Sequence, residues 1–143
     1  MKINRMVILG IAMAIIALTG ISWAANPEKE QGAVTAAAKW LTLIDTGKYS
    51  ESWREANAYF KQSVKQDQWE KIIQSVRTKS GKVISRKLKT QKNKTAFLPG
   101  EPKGRYIIVQ YATSFQNKKS VCEEVVVVLE KNGQWKVSGY HLK

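Results

Sequence analysis

The chain has 143 residues, with 24 Lys and Arg against 11 Asp and Glu, for a formal net charge of +13 at pH 7. Its single cysteine, Cys122, excludes an internal disulfide, so the fold must stand on packing alone. One His and one Cys also argue against a zinc or haem site, and no metal or cofactor is expected.

Lys2 and Arg5 open the chain, Met6 to Gly20 is an uncharged apolar run, and Ser22-Trp23-Ala24 puts small residues at both key positions of a processing site. That order is the order of a secretory signal peptide. The apolar run, at about 15 residues, is short of the roughly 20 needed to span a bilayer. Residues 1–24 are therefore expected to be removed, leaving 25–143 as one domain that is periplasmic or secreted, with no transmembrane segment after processing. An uncleaved membrane anchor is the alternative. Ala25 stands where a lipoprotein would carry Cys, which excludes lipid anchoring at that site.

Lys2 and Arg5 carry two of the thirteen net charges, which leaves about +11 on the domain. From Lys71 to Gly100 every charged residue is basic: Lys71, Arg77, Lys79, Lys82, Arg86, Lys87, Lys89, Lys92 and Lys94. Such a field draws anions. Export argues against nucleic acid as the partner and favours an anionic envelope component. The alternative is a solvated basic face with no specific partner.

In chain order, helix one is predicted from Asn26-Pro27, a cap followed by the proline favoured at the first helical position. Its apolar stripe is Val34, Ala37, Ala38, Leu41 and Ile44, widened by Trp40 and Leu43, and Gly47 closes it. Helix two is predicted near Ser50, carrying Trp53, Ala56, Asn57 and Phe60. Helix three opens at Ser63-Val64-Lys65-Gln66, read as a capping box with Gln66 reaching back. It continues through Trp69, Ile72, Ile73 and Val76 to Gly81.

Four strands are predicted. Val83 to Thr90 is cationic and suits an edge; alternation puts Arg86 on one face and Lys87 and Lys89 on the other. Arg105 to Phe115 has Ile107, Val109, Tyr111 and Phe115 facing the core. Val121 to Glu130 is apolar on both faces and central, with Cys122 read as a buried strand residue. Asn132-Gly133 signals a two-residue type I′ hairpin, leading into Gln134 to Leu142 with Trp135 and Val137 inward. The fold class is α+β: three N-terminal helices packed on a curved four-stranded antiparallel sheet.

The stretches Trp53-Arg54-Glu55-Ala56, Gln68-Trp69-Glu70-Lys71, Gly81 to Leu88, Leu98-Pro99-Gly100 and Trp135 to Tyr140 resemble the secreted bacterial family called domain of unknown function 4019. Helix one running into Asp45-Thr46-Gly47-Lys48-Tyr49, then Trp53, is similar to the opening of NTF2-like or cystatin-like domains. The resemblance implies a cone-shaped α+β fold and export. It implies no activity. The moderate polarity of Tyr106, Ile108, Gln110, Ala112 and Ser114 on the second strand suits an outer sheet face that supports a homodimer, as in many proteins of that superfamily.

No catalytic constellation is evident. His141 is a lone histidine on the last strand. Asp45 and Asp67 sit at helix ends and suit capping and turns. Glu123 and Glu124 are strand neighbours on opposite faces, so they cannot easily share a site. The candidate ligand-pocket residues are Trp40, Trp53, Phe60, Trp69, Tyr111, Phe115 and Trp135, with Tyr59 beside them. The candidate anion-binding residues are Arg77, Lys79, Lys82, Arg86, Lys87, Lys89, Lys92 and Lys94. The expected function is non-catalytic binding of a small apolar ligand or an envelope partner. A polyanion or anionic-lipid surface binder and a small acid–base cavity enzyme are the alternatives.

Overall fold

The computed structural model describes residues 27–94 and 102–143, with side chains from 28–91 and 102–143. The leader, its processing site, the Asn26 cap and Leu98-Pro99-Gly100 lie outside the described residues. Among the described residues four helices precede four strands: α1 (Pro27–Asp45), α2 (Tyr49–Glu55), α3 (Ala58–Ser63), α4 (Gln66–Ser80), β1 (Val83–Lys94), β2 (Tyr106–Phe115), β3 (Val121–Leu129) and β4 (Trp135–Leu142). The strands form one open antiparallel sheet in the order β1-β2-β3-β4, so β1 and β4 are its edges. Among the described residues no helix is long and apolar enough to cross a membrane.

The fourth helix corrects the three-helix expectation. The predicted helix two breaks at Ala56-Asn57, where the backbone is extended and the Asn57 side chain accepts from the Phe60 N–H at 2.9 Å. Asn at this position offers the chain a cap in place of a continued turn. The Asn57 N–H also donates to Val137 O at 2.8 Å, tying the break to β4. The cap before α4 moves as well: the Lys65 N–H is met by the side chain of Gln68 at 3.4 Å, not by Gln66. Gly47, with φ +75°, ends α1 as expected. Lys48 N–H reaches Leu43 O at 2.8 Å and Gly47 N–H reaches Ile44 O at 3.2 Å, the paired bonds of a Schellman motif.

The apolar stripe of α1 keeps Ala37, Trp40, Leu41 and Ile44 as predicted and takes Ala33 in place of Ala38. Ala33, Ala37, Trp40, Leu41 and Ile44 are buried, Val34 is half-buried and Ala38 is exposed. The two alanines let α1 lie close to β2, β3 and β4. On β2 the predicted alternation holds, with Ile107, Val109, Tyr111 and Phe115 buried against the helices. The aromatics expected on a cone wall pack ring against ring between the layers. Trp40 and Phe60 lie 6.5 Å apart, Trp40 and Trp69 6.0 Å, and Phe60 and Trp69 4.9 Å edge to face. Ser52, fully buried, joins three helices: Trp40 Nε1 donates to its carbonyl at 2.8 Å and Trp69 Nε1 to its hydroxyl at 2.9 Å.

The β3–β4 connection differs from the predicted type I′ turn. Only Gly133 has positive φ, at +83°; Asn132 does not. Gly133 N–H donates to Glu130 O at 2.9 Å and Glu130 N–H to Gln134 O at 2.8 Å, a three-residue loop closed by a glycine bulge. On the outer face Cys122 lies opposite Ala112 and is half-buried, more open than its apolar neighbours suggested.

Candidate functional site

Two charged assemblies stand out, one inside the fold and one outside. The inner one begins on α4, whose buried positions are Trp69, Ile73, Arg77 and Ser80. That face carries the Arg77 side chain between the layers, where its guanidinium lies 4.9 Å from the Phe115 ring centre. Arg86 enters from β1 opposite Thr113, and Glu123 from β3 opposite Tyr111. Asp45 is the last residue of α1. A carboxylate there meets the negative end of the helix dipole, and two guanidiniums offset it.

The bonds are specific. Arg77 Nη2 pairs with Asp45 Oδ1. Arg86 spans both carboxylates, donating through Nη1 to Asp45 Oδ2 at 2.7 Å and through Nε to Glu123 Oε1 at 2.5 Å. Its Nη2 serves Asp45 at 3.0 Å and Glu123 Oε2 at 3.2 Å. Thr113 and Tyr140 donate to Glu123 at 3.0 and 2.5 Å, and Arg77 Nη1 lies 3.5 Å from Glu123 Oε2. Glu123 is fully buried. A carboxylate offers about four lone-pair sites, and Arg86 Nε, Arg86 Nη2, Thr113 and Tyr140 fill them.

Burial by itself raises the Asp45 carboxyl, but hydrogen bonds and charge from Arg86, then Arg77, outweigh it and hold Asp45 below its ordinary value. Burial first, then Glu123, pushes the Tyr140 phenol well above the usual range. Burial chiefly raises Tyr111, whose hydroxyl is buried without a hydrogen-bond partner.

Arg77 and Arg86, expected to offer their charge to an anion outside, are thus neutralised within the fold. Lys79, Lys82, Lys87 and Lys89 are exposed, and the side chains of Lys92 and Lys94 lie outside the described residues. The simple alternation expected for β1 is interrupted, because the pairing skips Ile84 and Lys89. The fold adds two exposed lysines that the sequence reading passed over, Lys118 and Lys119 in the β2–β3 turn. Asn117 N–H donates to Ser80 O and Gln116 N–H to Lys82 O, both at 2.9 Å, which sets that turn against Lys79 and Lys82. Among the described residues none of these six lysines is paired with a carboxylate.

Of the candidate pocket residues, Trp40, Phe60, Trp69, Tyr111 and Phe115 are buried in the packing just described. Trp53 is half-buried, bonded through Nε1 to Val64 O at 2.8 Å, and Tyr59 is half-buried on α3. Trp135 lies against Gly32 of α1 and, with the edge of Trp40, lines an open groove of about 530 Å³ rimmed by Lys39, Glu51, Glu55 and Lys136. Glu124 points away from Glu123. It accepts from Gln110 at 2.8 Å and pairs with Lys143 at 3.3 Å, with His141 at 3.9 Å. Among the described residues no cluster of three His, Cys, Asp or Glu side chains forms a metal-sized site.

A comparison with curated proteins finds no match, and a comparison with solved structures finds none either. A stretch from within α1 to near the end of β4, holding the Trp53, Trp69 and Trp135 anchors, is matched by one family. Residues 36–140 match it, and the chain belongs to that family, described as Protein of unknown function (DUF4019).

Proposed function

We propose that the chain is an exported, non-catalytic domain of the NTF2-like kind that binds an anionic component of the cell envelope through its exposed lysines. The observation that carries this reading is the separation of the basic residues into two classes. Arg77 and Arg86 are spent on Asp45 and Glu123, while Lys79, Lys82, Lys87, Lys89, Lys118 and Lys119 are exposed and unpaired among the described residues. The acidic residues Glu51, Glu55, Asp67 and Glu70 lie on α2 and the first half of α4, interspersed with the exposed Arg54, Lys65 and Lys71. The exposed charges along the end of α4, β1 and the β2–β3 turn are therefore all basic, as an anion-seeking surface requires. The leader pattern of Lys2, Arg5, Met6 to Gly20 and Ser22 to Ala24 supports export.

The saturation of Glu123 weighs against an acid–base role, since a general base needs a free lone pair within reach of the substrate proton. The ring-on-ring packing of Trp40, Phe60 and Trp69 weighs against a ligand held between the layers. The groove beside Trp135 favours a second reading, a small apolar ligand held against α1 and β4.

Lipopolysaccharide and phosphatidylglycerol vesicles are the probes. The domain should co-sediment with both, and binding should fall steeply as salt rises, because exposed charges are screened over about 8 Å at physiological ionic strength. The Lys82→Glu, Lys87→Glu, Lys89→Glu triple variant should lose binding while keeping its circular dichroism. Equal binding by a folded triple variant would overturn the proposal.

A further inference from the structure

β1 carries more than charge on its free edge. Ile84 is 66 % exposed and Leu88 is 47 % exposed, two of the three large apolar side chains left most open among the described residues. Both stand on the edge strand with Lys87 and Lys89, and Lys82 immediately precedes it. At a rise of about 3.3 Å per residue they are roughly 13 Å apart along it. Arg86, between them, turns inward to Asp45 and Glu123; Leu88, opposite Tyr111, stands on that same helix-side face and Lys87, opposite Ala112, on the other, so the edge offers aliphatic and lysine side chains from its two faces together.

The pairing irregularities are placed to the same effect. The β1–β2 register skips one residue between Val83 and Ser85 and another between Leu88 and Thr90. Ile84 and Lys89 thus lack a partner across the ladder. Bulges bend an edge strand away from further pairing, so this edge is ill suited to receive another strand. It is well suited to lie on a surface.

The chemistry separates the anionic surfaces it would meet. A single-stranded nucleic acid gains its hold from stacking platforms as well as charge, and β1 offers none among its described side chains, which are aliphatic or polar. A soluble polyanion uses the lysines and has no use for Ile84 or Leu88. A lipid bilayer with anionic headgroups uses both: lysine ammonium groups sit at the phosphates while short apolar side chains enter the headgroup and acyl boundary.

Resting on the anion-binding reading above, we propose that the β1 edge docks on an anionic lipid bilayer, with Ile84 and Leu88 entering the headgroup layer between Lys82, Lys87 and Lys89. Lys79, Lys118 and Lys119, gathered at the corner where α4, β1 and the β2–β3 turn meet, extend the contact along one side. The Trp135 groove, beside the opposite edge strand β4, then lies away from the membrane.

The test uses vesicles of equal parts phosphatidylglycerol and phosphatidylcholine, beside inorganic polyphosphate as a soluble polyanion. The Ile84→Asn, Leu88→Asn double variant should bind the vesicles about tenfold more weakly and polyphosphate as well as the parent does. The lysine triple variant should lose both. If the double variant binds vesicles as the parent does, docking by insertion is wrong and the charge reading survives. If the triple variant binds both probes as the parent does, the charge reading itself is wrong. A second measurement is independent of how well the double variant folds: in a Cys122→Ala background, Ile84→Cys labelled with an environment-sensitive dye should brighten and shift to the blue on anionic vesicles. Unchanged emission with bound protein would overturn the proposal.

Discussion

Glu123→Ala tests the inner charge assembly most severely. The substitution removes the acceptor of Arg86 Nε and Nη2, Thr113 and Tyr140, and leaves Arg77 and Arg86 sharing Asp45 alone. Removing one partner of a buried ion pair costs about 3–5 kcal/mol, because an uncompensated charge stays behind. The Arg86 side chain is 17 % exposed and Asp45 27 %, so water can reach part of the site and the lower end, about 3 kcal/mol, is expected. Tyr140→Phe removes the bond its hydroxyl donates to Glu123 and the longer one, 3.3 Å, that it accepts from Arg77 Nη1, and should cost about 1.5–3 kcal/mol, the range for hydrogen bonds to charged groups. Arg86→Met combined with Glu123→Leu removes one charge of each sign and leaves the Asp45–Arg77 pair intact. It should be clearly more stable than Glu123→Ala, because apolar pairs replace buried ion pairs with little loss. Urea unfolding at neutral pH with an unchanged m-value reads all three. A loss under about 1 kcal/mol for Glu123→Ala, or a double variant less stable than the single, would refute the reasoning.

Other outcomes follow from the same geometry. Asp45 has a native pKa held below its ordinary 3.8, so its contribution to stability is complete above that value and disappears as pH falls through the native one; urea midpoints measured down the acid limb should show this, and Asp45→Asn should remove it. Tyr140 and Tyr111, both raised above the ordinary 10.0, contribute stability below pH 10 that is lost as pH rises toward their native values. Their phenolate absorbance should therefore appear together with alkaline unfolding and not before it. Trp69→Ala should cost about 3–5 kcal/mol, as large aromatic truncations do, and Trp53→Ala less, since Trp53 is only half-buried; equal melting temperatures for Trp69→Ala and the parent would contradict the packing. At Gly133, where no heavy atom would touch a new Cβ, Gly133→Ala should cost about 1–2 kcal/mol from its positive φ alone, measurable as a shift in the urea midpoint.

The strands were legible because one face of the sheet is dry. Alternation along Ile107, Val109 and Tyr111 has period two, and only one register buries it. The helical break at Asn57 was legible in principle, since Asn is a strong cap, but its neighbours Trp53, Ala56 and Phe60 fit one continuous helical spacing equally well. The Asn132-Gly133 pair marks a turn without fixing its length, because the loop type depends on where Leu129 and Trp135 pair. The inner charge assembly was invisible, as its members lie 32 to 41 positions apart from Asp45 to the two arginines. One local signal pointed to it. Within the basic run the two arginines stand among lysines, and a planar guanidinium suits a buried carboxylate better than an ammonium does. The exposed apolar pair on β1 was read as part of a strand, since sequence alone does not say which edge stays uncovered.

The meander is built between neighbours in sequence, whereas the helical layer is not. α1 rests on β2, β3 and β4, and α3 is bonded to β4 through Asn57. A polypeptide delivered from its N-terminus acquires α1 long before the strand that completes its seat, and the loop that must close spans on the order of a hundred residues. Until Trp135–Leu142 arrives, the indoles of Trp40 and Trp69 and the alanine face of α1 have only part of a surface to cover. For the same reason, losing that last strand would leave the first helix as sticky as an unfolded one, and a chaperone or protease would meet the whole helical half of the molecule at once.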